Sequence, residues 1–221
     1  MSQPLKSEAA LEEHSAESHE AEHGHVHRDD FGAKMGMWLF LFTEVLLFGG
    51  LFILYMAYRV QYPDQFVLAA KELDTTVGTI NTIILLTSSL TMALSIAALQ
   101  RAKKVLALVF LGLTQLMALG FMVNKYFEWS HKFEVGLFPG SETLLNLDNG
   151  EIIFFGLYYS MTGLHGLHVI VGMIIIAFMM VYIVRGSVKP DNYIKLENSG
   201  LYWHLVDLIW IFLFPLFYLI H

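Results

Sequence analysis

Apolar residues in this chain come in runs. After a polar opening through residue 34, apolar stretches cover roughly 35–58, 77–99, 105–127, 152–184 and 201–220. Each approaches or exceeds the ~20 residues with which a helix crosses a ~30 Å hydrocarbon core. Period-2 alternation is absent, and a segment inside lipid must satisfy its own backbone, so the runs read as helices. The predicted fold class is all-α, a polytopic membrane bundle of five transmembrane helices. The fourth run exceeds a perpendicular crossing and is expected to tilt or protrude. Pro215 removes a backbone donor from the fifth and is expected to kink it. The connection 128–150 reads as the longest loop, with GLFPG (136–140) as a turn.

The chain thus divides into a tail, 1–34, and a membrane domain, 35–221. The tail is rich in Glu, His, Ala and Ser, too polar to offset the entropy of ordering, and is expected to be mobile, with 8–22 able to form a transient surface helix. It shows no basic region followed by an apolar core, so no cleavable signal peptide is expected. Alternate crossing puts Lys6, Arg28, Lys34, Arg101, Lys103, Lys104, Arg185, Lys189 and Lys195 on one side, and Arg59, Lys71, Lys125 and Lys132 on the other. The positive-inside rule then predicts a cytoplasmic N-terminus, with His221 outside. Trp38 and the pair Tyr202–Trp203 fall where an interfacial aromatic belt is expected.

Composition supports the membrane class: 56% of the 221 residues are hydrophobic and 14% aromatic. With no cysteine, disulfides, thiolate-held iron–sulfur clusters and a cysteine nucleophile are excluded. The net charge of −7 describes the tail more than the bundle, because much of the acid lies in the first thirty residues. No nucleic-acid partner is expected.

Candidate chemistry lies in polar residues inside the runs. Glu44, in FTEVLLFGG (42–50), sits roughly 14 Å into its span, where a charge costs about 2.5–3.5 kcal/mol on insertion scales. It reads as a proton-relay residue, a counter-charge to a cation, or a neutral acid hydrogen-bonded in the bundle. His165 and His168, in TGLHGLHVIVG (162–172), are three residues apart on one helix face. They suit either a metal or haem, or a structural pair; a metal site needs more convergent ligands than the spans supply, which favours structure. His204 and Asp207, in YWHLVDLIW (202–210), have the same spacing and suit a His–Asp hydrogen bond, as an interfacial pair or a proton relay. Asn81, Gln115 and Asn124 complete the intramembrane polar set. Thr82, Ser89, Ser95, Gly49, Gly50, Gly163, Gly166 and Gly172 are small enough to let helices approach. The tail's His14, His19, His23, His25 and His27 suit solvation or weak metal binding.

Five segments in order, FTEVLLFGG, INTIILLTSS (80–89), NKYFEWSHKF (124–133), TGLHGLHVIVG and LYWHLVDLIWIFLF (201–214), resemble subunit III of haem–copper oxidases. The resemblance runs from residue 35 to the C-terminus. Long members of that family carry two further helices ahead of the matched region; this chain resembles the five-helix form found in many bacteria. The resemblance implies an accessory subunit of a proton-pumping cytochrome c oxidase in the bacterial inner membrane. It also implies no haem, copper or catalytic residue of the chain's own, and packing against subunits I and II, which hold haem and copper. The family's phospholipids lie in a cleft between the two extra helices and the rest. Glu44 matches the family's carbodiimide-reactive acid, Glu128 the acid closing the third span, and His165, His168, His204 and Asp207 the later motifs. Thr43 stands where serine is common. The implied role is to keep proton uptake rapid and protect subunit I from turnover inactivation, with cytochrome c as donor. Quinol-oxidase relatives often have Asp at the position of Glu44. The same role in a quinol oxidase, a nitric oxide reductase accessory protein, and a stand-alone proton or cation carrier are the alternatives.

Overall fold

The computed structural model describes residues 30–220. The tail histidines, Lys6, Arg28 and His221 lie outside the described residues, as does the segment expected to form a surface helix. The chain divides into two compact units, Met1–Met35 and Gly36–His221. Residues 30–35 of the first are helical.

Among the described residues there are seven helices: α1 Asp30–Gln61, α2 Pro63–Ala70, α3 Thr75–Gln100, α4 Lys104–Val135, α5 Glu142–Leu145, α6 Asn149–Val184 and α7 Ile194–Tyr218. Five of these, α1, α3, α4, α6 and α7, are long and apolar enough to cross a membrane. The Asp74 carboxylate caps α3, accepting from the Thr76 amide at 2.8 Å. Gly136 closes α4 in the left-handed region at φ 79°, so GLFPG does turn the chain.

The third span differs most from its expected bounds. Its helix runs on to Val135, so NKYFEWSHKF is wholly helical and the loop shrinks to 136–148, with α5 inside it. Lys125, Glu128 and Lys132 recur at helical spacing, and both lysines are buried, which a loop would not allow.

In the bundle, α3 packs on α4 and α7, and α6 on α7 and α4; the short α2 and α5 rest on α6. Trp203 and Trp210 of α7 are fully buried, and each anchors to α3: the Trp203 indole donates to Ser88 Oγ at 3.1 Å and that of Trp210 to Thr82 Oγ1 at 3.0 Å. Tyr202 is also buried, so Tyr202–Trp203 is core and not an aromatic belt. The reason is that α7 begins at Ile194, placing both residues two turns inside it.

The small residues divide. Gly172 faces the Trp203 ring so closely that a Cβ there would lie 2.7 Å from it, whereas Gly49, Gly50 and Gly166 face open space. The expected backbone approach is therefore made at Gly172. Helix α1 is held differently, by large side chains: Tyr55 stacks edge-on to Phe66 and Phe217 at 5.5 and 5.1 Å, and Phe52 meets Phe212 at 6.0 Å. The Tyr55 hydroxyl also donates to the Leu216 carbonyl, in the last turn of α7 where helical partners run out. Only 11% of the most apolar stretch of α1 is buried, against 50% in α7, so α1 is the peripheral span.

Candidate functional site: three buried polar clusters

The first cluster joins α1 to α6. His168 Nδ1 lies 2.8 Å from the Leu164 carbonyl oxygen, one turn back. A carbonyl only accepts, so Nδ1 carries a hydrogen. Nε2 lies 2.9 Å from Glu44 Oε2, with both side chains 14% exposed. That contact is a hydrogen bond only if one proton lies between the two atoms, on the carboxyl or on the ring. Tyr202 holds the imidazole by near-parallel stacking at 6.4 Å and donates its hydroxyl to the His168 carbonyl at 3.1 Å, while Phe48 packs edge-on at 5.3 Å. Glu44 is thus paired, and the partner is a histidine that the sequence groups with His165.

His165 goes elsewhere. It is fully buried beside Phe121 and Trp210, at 5.6 and 5.2 Å between ring centroids, and neither ring nitrogen has a hydrogen-bond partner. The i, i+3 histidines of α6 therefore serve different neighbours. Among the described residues no three His, Cys, Asp or Glu side chains converge as metal ligands would.

The second cluster lies toward the end of the bundle where α4 and α7 finish. Lys125 Nζ donates to the Tyr218 hydroxyl at 2.7 Å, to that of Tyr158 at 3.2 Å and to Glu128 Oε2 at 3.2 Å. Both tyrosines donate onward to Glu128 Oε1, Tyr218 at 2.5 Å. The ammonium also lies 5.1 Å from the Trp210 ring centroid. Donors and acceptors close on themselves across α4, α6 and α7, so two opposite charges sit buried with their hydrogen bonds made. Lys132 Nζ, one turn on, donates to the Glu72 carbonyl at 2.8 Å. A cleft of about 280 Å³ opens beside it, lined by Glu72, Asp74, Asn124, Glu128, His131 and Lys132 among others. Lys125, Tyr158 and Tyr218 are missed by sequence reasoning; the usable signal is a lysine and a glutamate three residues apart in a segment that continues as helix.

The third cluster joins α3 to α7. His204 does not bond to Asp207: its Nδ1 lies 2.7 Å from Ser89 Oγ. Asp207 is 3% exposed, and neither carboxyl oxygen has a hydrogen bond of ordinary geometry. Spacing alone suggested the direct pair; in the fold His204 bonds to α3 instead, and it is partly exposed where Asp207 is buried. Near the start of α3, Asn124 Nδ2 donates to Asn81 Oδ1 at 2.9 Å, and Gln115 Nε2 of α4 donates to the Met173 carbonyl of α6 at 3.2 Å.

Residues 13–221 match the family described as Cytochrome c oxidase subunit III. The chain is 29% identical to the cytochrome bo(3) ubiquinol oxidase subunit 3 of Pseudomonas aeruginosa, over 96% of this chain and 98% of that one. It is 32% identical to the cytochrome c oxidase subunit 3 of Synechocystis sp., over 90% of this chain and 79% of the other. It is also 32% identical to a heme-copper oxidase subunit I+III of Aeropyrum pernix over 85% of its own length, spanning 22% of that longer protein. An integral membrane bundle of five long apolar helices that aligns along nearly its whole length with these proteins belongs to the subunit III family of haem–copper oxidases.

Proposed function

We propose that this chain is an accessory, non-redox subunit of a proton-pumping respiratory terminal oxidase, seated beside subunits I and II. Those partners would hold the haem and copper and reduce oxygen to water. The observation that carries the reading is where the chain's own ionisable side chains are engaged: His168 with Glu44, His204 with Ser89, and Glu128 with Lys125 and two tyrosines. Among the described residues these contacts join helices to one another, which supports a structural part for them. The Aeropyrum pernix relative, named as subunits I and III together, supports a place beside subunit I. The Glu44–His168 pair holds one shared proton at membrane depth on the peripheral span, which supports a role in keeping proton uptake rapid. The apolar face of α1 would meet lipid or subunit I, with phospholipid as a ligand. The charge distribution supports a cytoplasmic N-terminus in a bacterial inner membrane.

Removing the chain from its purified oxidase is expected to leave the haem spectrum intact while activity decays over successive turnovers. Undiminished activity over many turnovers would refute the role, and a stoichiometric haem or metal on the isolated chain would refute its non-redox character. As donor we propose cytochrome c, supported by Glu44 in place of aspartate. The near end-to-end match to a ubiquinol oxidase subunit favours quinol instead. Oxidation rates of reduced cytochrome c and of a quinol by the purified complex separate the two.

A further inference from the structure

Helices α4 and α6 meet along a seam that their own side chains leave partly open. Two cavities lie on it, of about 350 and about 150 Å³, and Met122 lines both. The α4 wall is Gln115, Leu119, Met122, Tyr126 and Trp129, at alternating steps of four and three, which is one face of a helix. The α6 wall, Thr162, Gly166, Ile170, Met173 and Ala177, keeps the same kind of step. The larger cavity pairs the 115 end of α4 with the 177 end of α6, and the smaller pairs the 129 end with the 162 end. They therefore lie end to end on one groove, which at helical rise runs for ~21 Å. Helix α6 makes its close approach to α7, at Gly172 against Trp203; toward α4, Gly166 has nothing within 4 Å. Leu119, Tyr126 and Ile170 are exposed, so the groove opens sideways from the bundle.

The groove offers no free charge. Lys125 borders the smaller cavity, but the three hydrogens of its ammonium go to Tyr218, Tyr158 and Glu128. The Thr162 hydroxyl donates to the Tyr158 carbonyl at 2.6 Å. The buried lining atoms left without a hydrogen bond, Gln115 Oε1 and Trp129 Nε1, are at opposite ends. Between those ends the walls complement an uncharged, slender and flexible occupant.

We propose that this groove holds one acyl chain of a phospholipid, which enters at the Trp129 end and lies along the seam toward Gln115. The groove is longer than half of the ~30 Å hydrocarbon core, so an extended chain from the leaflet where α4 ends fits along it. Tyr126 and Trp129 stand at that mouth, as aromatic rings do at headgroup level. A partner helix, about 10–12 Å across with its side chains, is too broad for cavities of this size. The chain fills the seam as a side chain would and joins α4 to α6 where their own residues do not meet. This site is separate from the exposed face of α1. The inference rests on the membrane placement of the bundle and not on its role in the oxidase.

The test uses the intact oxidase, reconstituted with a phosphatidylcholine that carries a diazirine at the end of one acyl chain, then washed in detergent and illuminated. Peptide mass spectrometry is expected to find the adducts concentrated within 115–129 and 162–177. Gly166→Leu puts a side chain into the open space and is expected to cut those adducts by about tenfold. Ala177→Phe fills the other cavity and gives a second reading where Gly166→Leu does not assemble. Leu46→Phe, on α1, is expected to leave the adducts at the wild-type level. Haem content and co-purification of the chain establish that each variant is assembled. Organic extraction of the washed complex is expected to release less phospholipid per haem from the filled variants than from wild type. The proposal is overturned if the adducts spread evenly over the exposed faces of all the spans, or if the assembled filled variants keep them. It is also overturned if a quinone, and not phospholipid, is what the filled variants lose, or if the groove residues cross-link to another polypeptide.

Discussion

At the scale of single residues, the bundle turns on what each ionisable side chain meets. His165 and His168 are three positions apart on α6, yet one is locked among aromatic rings and the other shares a proton with Glu44. Lys125 is a sharper case. Counted along the sequence it is one of four basic residues at the sparsely charged side; in the fold it is the centre of a closed network with Glu128, Tyr158 and Tyr218. Removing one partner leaves the other charge buried and unpaired, so Lys125→Met is expected to destabilise the chain by about 3–5 kcal/mol. Adding Glu128→Leu removes the orphaned charge and is expected to recover much of that loss. The midpoint of unfolding in mixed detergent micelles reads both. Glu44 and Glu128 are legible in sequence because an acid in an apolar run stands out. Their partners are not, because a histidine or tyrosine in a helix carries no mark of the helix it will face.

At the scale of elements, the spans were legible in existence and type but not in length. Apolar runs mark the parts of helices inside the hydrocarbon, whereas α4 continues into polar sequence where Lys132 is buried and donates to the Glu72 carbonyl, and α7 starts earlier with Leu196 buried. Two extra turns on α4 bring Glu128 and Lys132 inward, and the early start of α7 at Ile194 places Tyr202 and Trp203 in the core. Close approach of α6 to α7 is made at Gly172, against the Trp203 ring. Gly172→Leu is therefore expected to force that ring aside and cost about 1–3 kcal/mol. Gly166→Ala, facing open space, is expected to be neutral or mildly stabilising, since helical glycine is worth about 0.5–1 kcal/mol less than alanine. Unfolding midpoints of the two variants, measured side by side, check the contrast.

At the scale of the whole molecule, α1 is the span whose surroundings lie mostly outside the chain. Trp38, Leu39, Leu46 and Ile53 are exposed on it, with Leu46 near the middle of the span. Whether lipid or a partner subunit covers that face, a charge there is misplaced, so Leu46→Arg is expected to cost about 2.5–3.5 kcal/mol at insertion. Recovery of the chain in membranes and with its oxidase should fall, while Leu46→Phe should leave both near wild type. The subunit III family could be read from ordered motifs, and the five spans from hydropathy, because lipid imposes length and apolarity on any helix that crosses it. Sequence by itself determined the class of molecule, the number of spans and the residues at odds with their surroundings. Only the tertiary structure decided who satisfies them: His168 for Glu44, Lys125 for Glu128, and Ser89 for His204. The reason is physical. Hydropathy is a property of one segment against its solvent, but a buried hydrogen bond is made between segments whose register is set only when the helices pack.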